Sequence, residues 1–224
     1  MSATQHPVLT IGHSNHSLEA FLELLRTHGI DEVADVRSSP YSRYTPHFGH
    51  RVLSEALESA GIGYAFLGGE LGGRPRDRSC YDAEGRVRYD RLAESDEFDD
   101  GIRQIVHGAD ERRIVLMCAE KEPLDCHRTL LVARALVDRE VAVAHIHADG
   151  SLEEHAAAMD RLVILHKLSP VQQIDMFAME GPDNGGTPRS RDDLIADAMA
   201  RQTAKVAYVG AESTVGGDDW ENGY

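Results

Sequence analysis

Short apolar runs alternate with segments of helical spacing along the first 168 residues, and this alternation restricts the fold more than any other feature. VLTIGHS (8–14), EVADVRSS (32–39), IGYAFLGG (62–69), RIVLMCA (113–119) and VAVAHIHADG (141–150) read as strands. Between them lie LEAFLELLRTH, with Ser17 placed as N-cap and Gly29 as the closing residue, and RVLSEALESAG, ended by Gly61. A helical stretch over 89–108 follows, then DCHRTLLVARALVDRE (125–140) and SLEEHAAAMDRLVILHKL (151–168). Strands separated by ten or more helical residues cannot pair as hairpins. They need right-handed crossovers, which gives an α/β fold: a mostly parallel sheet of about five strands with helices on both faces.

After Leu168 the pattern stops. SPVQQIDMFAMEGPDNGGTPRS has three prolines and three glycines without a period and reads as a linker. The reading is one domain over 1–168, then a linker and flexible acidic tail over 169–224 with a short helix near 194–205.

The formal net charge of −15 excludes a broad basic face that grips nucleic acid by charge alone, but leaves room for a local basic pocket. Three cysteines do not make a disulfide framework. The first residues lack the basic-then-apolar order of a secretory signal, and no run is long enough to cross a bilayer. The expectation is a cytoplasmic protein without a membrane partner.

In open parallel sheets ligands bind beyond the carboxyl ends of the strands. The residues found there are Gly12, His13, Ser14 and Asn15, then Asp35, Arg37, Ser38, Ser39, Ser42 and Arg43. Gly72, Gly73, Arg74 and Arg76 follow the third strand, and Cys118, Glu120, Cys126, His127 and Arg128 the fourth. Arginine and histidine gathered on one rim of an acidic protein favour an anionic ligand, whereas an Asp35–Arg37 pair with the other arginines solvated is the plainer alternative.

The stretch CAEKEPLDCHR (118–128) reads as a strand end followed by a helix start. With Asp125 as N-cap, Cys126 and His127 fall in the first helical turn, where the dipole and Arg128 favour a thiolate. Cys126 is the candidate nucleophile, His127 its acid or base, and Cys118 a neighbour whose burial also suits an inert small residue. A reversible disulfide between the two stays open. No metal is assigned, because the spacing is not C-x-x-C and Cys80 sits in a distant loop; no cofactor is assigned either. His145 and His147 alternate on the last strand and lack a third ligand.

IGHSNHSLEAFLELLRTHGIDEVADVRSSPYSRYTPHF, GIGYAFLGGELGGR and LMCAEKEPLDCHR, followed by the VAHI strand, cover most of residues 8–147. In that order they resemble domain-of-unknown-function family 488. The resemblance implies a compact α/β domain and places Arg37, Pro40, Ser42, Pro46, Phe48, Gly72, Gly73, Cys118, Glu120, Cys126, His127 and Arg128 on the family pattern. It supplies no reaction, and Cys80 lies outside the pattern.

QIDMF (Gln173, Ile174, Asp175, Met176, Phe177) is similar to the pentapeptide by which proteins bind the bacterial DNA sliding clamp; the plainer alternative is that its apolar residues staple the tail to the domain. The leading functional expectation is an enzyme acting on a nucleotide or nucleic acid. Its chemistry would come from Cys126, His127, Cys118, Glu120 and His13, and its anion binding from Ser14, Arg37, Ser42, Arg43, Gly72, Gly73, Arg74 and Arg128. A rhodanese-like sulfur-transfer enzyme and a non-catalytic anion-binding module are the alternatives.

Overall fold

The computed structural model describes residues 6–41, 43–169 and 189–210. Ser42 and the whole QIDMF peptide therefore lie outside the described residues.

Five parallel strands form the body of the sheet: β1 (Val8–Gly12), β2 (Glu32–Asp35), β3 (Gly63–Phe66), β4 (Ile114–Cys118) and β5 (Val143–Ile146). A sixth, β6 (Leu152–Glu154), pairs antiparallel to β5 and completes the order β3-β2-β4-β1-β5-β6. The sequence pattern over 151–168 merges β6 into the following helix. Gly150 at φ 84° turns the chain back, and the Asp149 carboxylate accepts the Ser151 amide at 2.9 Å, so three residues pair before a helix begins at His155.

β1 and β4 are buried along their whole length, as central parallel strands require. Alternation divides their side chains. Val115 and Met117 join Leu9 and Ile11 in one apolar cluster, while Ile114, Leu116 and Cys118 join a second. Helices α1 (Leu18–Thr27) and α2 (His50–Ser59) bury Phe21, Leu25, Leu53 and Leu57 in the first cluster. The second face is covered by α3 (Tyr89–Ala93), α4 (Asp96–Ala109), a π-helical segment Arg128–Ala133 that continues as α5 (Arg134–Val137), and α6 (His155–Leu165). The single helix expected over 89–108 is thus two, because Ser95 caps a new start by accepting the Phe98 amide.

Helix α7 (Arg191–Val206) is opened by a Ser190–Asp193 capping box and contains the helix expected near 194–205. It is not an isolated piece of tail. Ala198 and Met199 are buried in the second cluster, and the Gln202 amide donates to Leu124 O and to Asp125 Oδ1.

Candidate active site

β1 leads into α1 on the first face, and β2 leads into α2 on the same face. β4, between them in the sheet, leads into the π-helical segment on the opposite face. The connections part on either side of β4, which opens a crevice at its carboxyl end. Backbone bonds from His13 N to Cys118 O (2.8 Å) and from Val36 N to Met117 O (3.0 Å) hold the three strand ends together. A cleft of about 340 Å³ occupies this position.

Its lining unites residues from four parts of the chain: His13, Arg37, Gly73, Arg74, Cys118, Glu120, Cys126 and His127. Arg128 lies directly behind Glu120, fully buried. Ser14, Gly72 and Arg43 are not in the lining, and Arg43 is exposed. Ser14 instead adopts φ 46°, an uncommon conformation for a non-glycine residue, at the turn out of β1.

Arg37 is engaged rather than free. Its Nε and Nη2 donate to the two oxygens of the buried Asp35 at 2.8 and 2.6 Å, and its Nη1 donates to His13 Nε2 at 3.2 Å. Tyr64 adds a hydroxyl to Asp35 Oδ2 at 2.8 Å. His13 donates through Nδ1 to Ser14 O at 3.0 Å and stacks on Phe48 at 4.4 Å. Burial, reinforced by Arg37, lowers its pKa to about 4. Both ring nitrogens are used, so His13 steadies Arg37 and presents no free lone pair. The Asp35–Arg37 ion pair of the plainer alternative is present, and Arg37 also lines the cleft.

The chemistry of Cys118–Arg128 differs from the sequence reading in one respect. Asp125 is not an N-cap: it ends a short 3₁₀ turn, Pro123–Asp125, that Glu122 caps. Cys126 follows in an extended conformation (φ −135°, ψ 142°), and His127 stands immediately before the π-helical segment. His127 itself has helical angles (φ −60°, ψ −27°) and the Cys126 carbonyl accepts the Leu130 amide at 3.1 Å, so His127 falls in the first helical turn as expected, whereas Cys126 stands just before it as the cap. Asp125 is drawn toward Gln202 instead, at 2.7 Å.

The extended Cys126 brings three side chains together. His127 Nδ1 lies 3.7 Å from Cys126 Sγ and 3.8 Å from Cys118 Sγ. His127 Nε2 donates to Val36 O at 2.9 Å, which leaves Nδ1 facing both sulfurs. Gly73 packs on this ring: a Cβ there would come within 3.0 Å of His127 Cγ. Burial raises the Cys126 pKa, but a Cys118 hydrogen bond, Arg128 and His127 outweigh it and hold the thiol well below its usual range. Cys118, which donates that bond and is buried, is pushed up. Burial lowers the His127 pKa, but Cys126 and the hydrogen bond to Val36 O together outweigh it and leave it raised.

Arg128 is the buried cation behind this cluster. It donates to Glu120 O at 2.6 Å and Lys121 O at 3.3 Å, and no carboxylate pairs with it among the described residues. Gly12 makes room for this arrangement: a Cβ there would sit 1.9 Å from Glu120 O and 3.3 Å from Arg128 Nη2. Cys80, assigned to a loop by sequence, is buried in the second apolar cluster and does not line the cleft. His145 bonds Thr10 and His155, and His147 bonds Glu153, so neither belongs to the cleft.

Sequence reasoning missed Tyr41, Tyr89, Val206 and Tyr208 in the cleft lining. Tyr208 lies under the Arg74 guanidinium at 4.4 Å, and only the docking of α7 brings it there. A larger groove of about 760 Å³ between α7 and the 128–137 helix shares only Tyr89 with the cleft and contains none of the cysteines.

No helix among the described residues is long and apolar enough to cross a membrane. Neither the curated proteins nor the solved structures contain a match to this chain. The model of the Domain of unknown function DUF488 matches residues 17–136, more than half of the 224 residues and inclusive of β2, β4, both cleft cysteines and His127. The chain belongs to the DUF488 family.

Proposed function

We propose that this protein is an enzyme that binds a phosphate-bearing substrate, a nucleotide or a nucleic-acid end, and acts on it with the Cys118–Cys126–His127 cluster. The observation that carries this reading is the meeting of two thiols and an imidazole nitrogen, from the end of β4 and the segment that follows it, in the wall of one cleft. Arg74 supports the anionic substrate, since it has no carboxylate partner among the described residues. Tyr41, 72% exposed in the lining, offers a face on which a base can stack. Arg37 contributes little free charge, being matched by Asp35.

The test is titration of the whole chain with nucleotides and short single-stranded oligonucleotides, followed by product analysis. Arg74→Ala is expected to weaken binding about tenfold, as for loss of a charged hydrogen bond. Cys126→Ser should bind normally and turn over nothing. Full turnover by Cys126→Ser, or affinity unchanged by Arg74→Ala, sinks the proposal. Sulfur transfer is the weaker reading, because the outer sulfur of a persulfide on Cys126 would crowd His127 Nδ1, 3.7 Å from Cys126 Sγ.

Recruitment to the DNA sliding clamp through Gln173, Ile174, Asp175, Met176 and Phe177 is part of the same proposal. It would supply the affinity for DNA that a chain of net charge −15 lacks. Immobilised clamp should retain the protein and release it when Phe177 is changed to Ala.

A further inference from the structure

We propose that Cys118, Cys126 and His127 hold a zinc ion, with one coordination position left open to the cleft. The inference rests on the reading of this cluster as the reactive centre and names what the two thiolates are arranged around.

The argument is geometric. The three ligand atoms all lie within 4.8 Å of one another. A tetrahedral ion bound about 2.3 Å from sulfur and about 2.0 Å from nitrogen spaces a sulfur and a nitrogen about 3.5 Å apart, and two sulfurs about 3.8 Å. The observed separations of 3.7 and 3.8 Å between His127 Nδ1 and the sulfurs are within a few tenths of an ångström of that figure. A redox pair needs no third donor aimed at both sulfurs, whereas a metal does.

The surroundings fit as well. Metal-bound histidines characteristically donate their other ring N–H to a carbonyl or carboxylate, and His127 Nε2 does so to Val36 O at 2.9 Å. Thiolate and imidazole are the donor types that favour zinc over magnesium or calcium. Two thiolates cancel the ion's charge. The nearby cation, Arg128, points its Nη1 and Nη2 at the Glu120 and Lys121 carbonyls, and its buried Nε has no hydrogen-bond partner among the described residues. Among the described residues no fourth cysteine, histidine or carboxylate joins the group. All three ligands line the cleft, so the vacant position faces it, as in zinc sites that bind water or substrate rather than brace a fold.

Spacing alone argued against this site, because two of the ligands are adjacent residues and the third is eight positions earlier. The extended backbone of Cys126 and the turn at Pro123 bring them together.

The full-length reduced protein, loaded with zinc and dialysed against metal-free buffer, should retain about one ion per chain by elemental analysis. Cobalt should give a thiolate charge-transfer band and the intense visible bands of a tetrahedral ion, which zinc then bleaches. Cys126→Ser and His127→Ala should each lose the ion, while Cys80→Ser keeps it. The wild-type cobalt spectrum needs no variant to fold. Failure of the reduced wild type to bind zinc or cobalt overturns the inference. So does a cobalt spectrum without the thiolate band, or retention unchanged in His127→Ala. If nucleotide binding through Arg74 persists without metal, only the zinc site falls. If zinc is held but no nucleotide or oligonucleotide binds, the proposed substrate class falls and the zinc site stands.

Discussion

His127 donates its Nε2–H to the carbonyl of Val36 at 2.9 Å, so the end of β2 orients a side chain that follows β4. The same bond determines which nitrogen faces Cys118 and Cys126. Any change that moves these two strand ends relative to each other changes the geometry of the cleft.

Gly12→Ala is expected to do that. The added methyl would overlap Glu120 O, in the backbone that the buried Arg128 holds. Neither the central strand nor the tethered loop can yield cheaply, and a loss of about 3 kcal/mol in urea unfolding is expected. A loss within experimental error would show that the 118–128 loop is not fixed as described.

Asp35→Asn tests the buried ion pair. It leaves Arg37, 5% exposed, without its countercharge and weakens the Tyr64 hydroxyl bond. Breaking such a pair from one side costs about 3 kcal/mol or more. Tyr64→Phe, which removes one hydrogen bond and no charge, should cost about 1 kcal/mol. Equal effects of the two variants in chemical denaturation would contradict this account.

Acid should destabilise the fold through a buried histidine pair. His145 bonds Thr10 Oγ1 at 2.8 Å and His155 Nδ1 at 3.1 Å. Burial and then His155 lower His145 to about 3, with Arg128 and His147 acting the same way and Glu153 opposing; burial, chiefly, lowers His155 to about 4. Both are lowered from 6.5, so folding favours the neutral rings. Their stabilisation is complete above about pH 6.5 and declines as the pH falls toward 4, by up to about 1.4 kcal/mol per pH unit for each ring. Unfolding midpoints measured from about pH 7 to about pH 5 should fall, and His155→Gln should flatten the slope. A slope unchanged by that variant would assign the effect to other groups.

Gln202→Ala should loosen the site from a distance. Gln202 is fully buried and joins α7 to the turn just before Cys126 through Leu124 O and Asp125 Oδ1. Its loss should cost about 1–3 kcal/mol and raise amide hydrogen exchange at 123–127 above that of the distant helix α1. Exchange confined to α7 would show that the helix does not brace the turn.

The sequence by itself determined the five parallel strands, since apolar runs too far apart for hairpins must cross over in parallel; the antiparallel β6 was not legible in it. It also determined which strand ends carry reactive side chains. Cys118, Cys126, His127, Glu120, Arg74 and His13 were all legible on that rim, because ligand residues in this architecture follow the strands. Tertiary structure decided their arrangement. Local propensity could not show that Asp125 would leave its capping position for Gln202, 77 residues later, or that Cys126 would remain extended. Nor could it show α7 placing Tyr208 under Arg74. These outcomes depend on contacts between distant segments, whose energies exceed the small local preferences that a sequence pattern records.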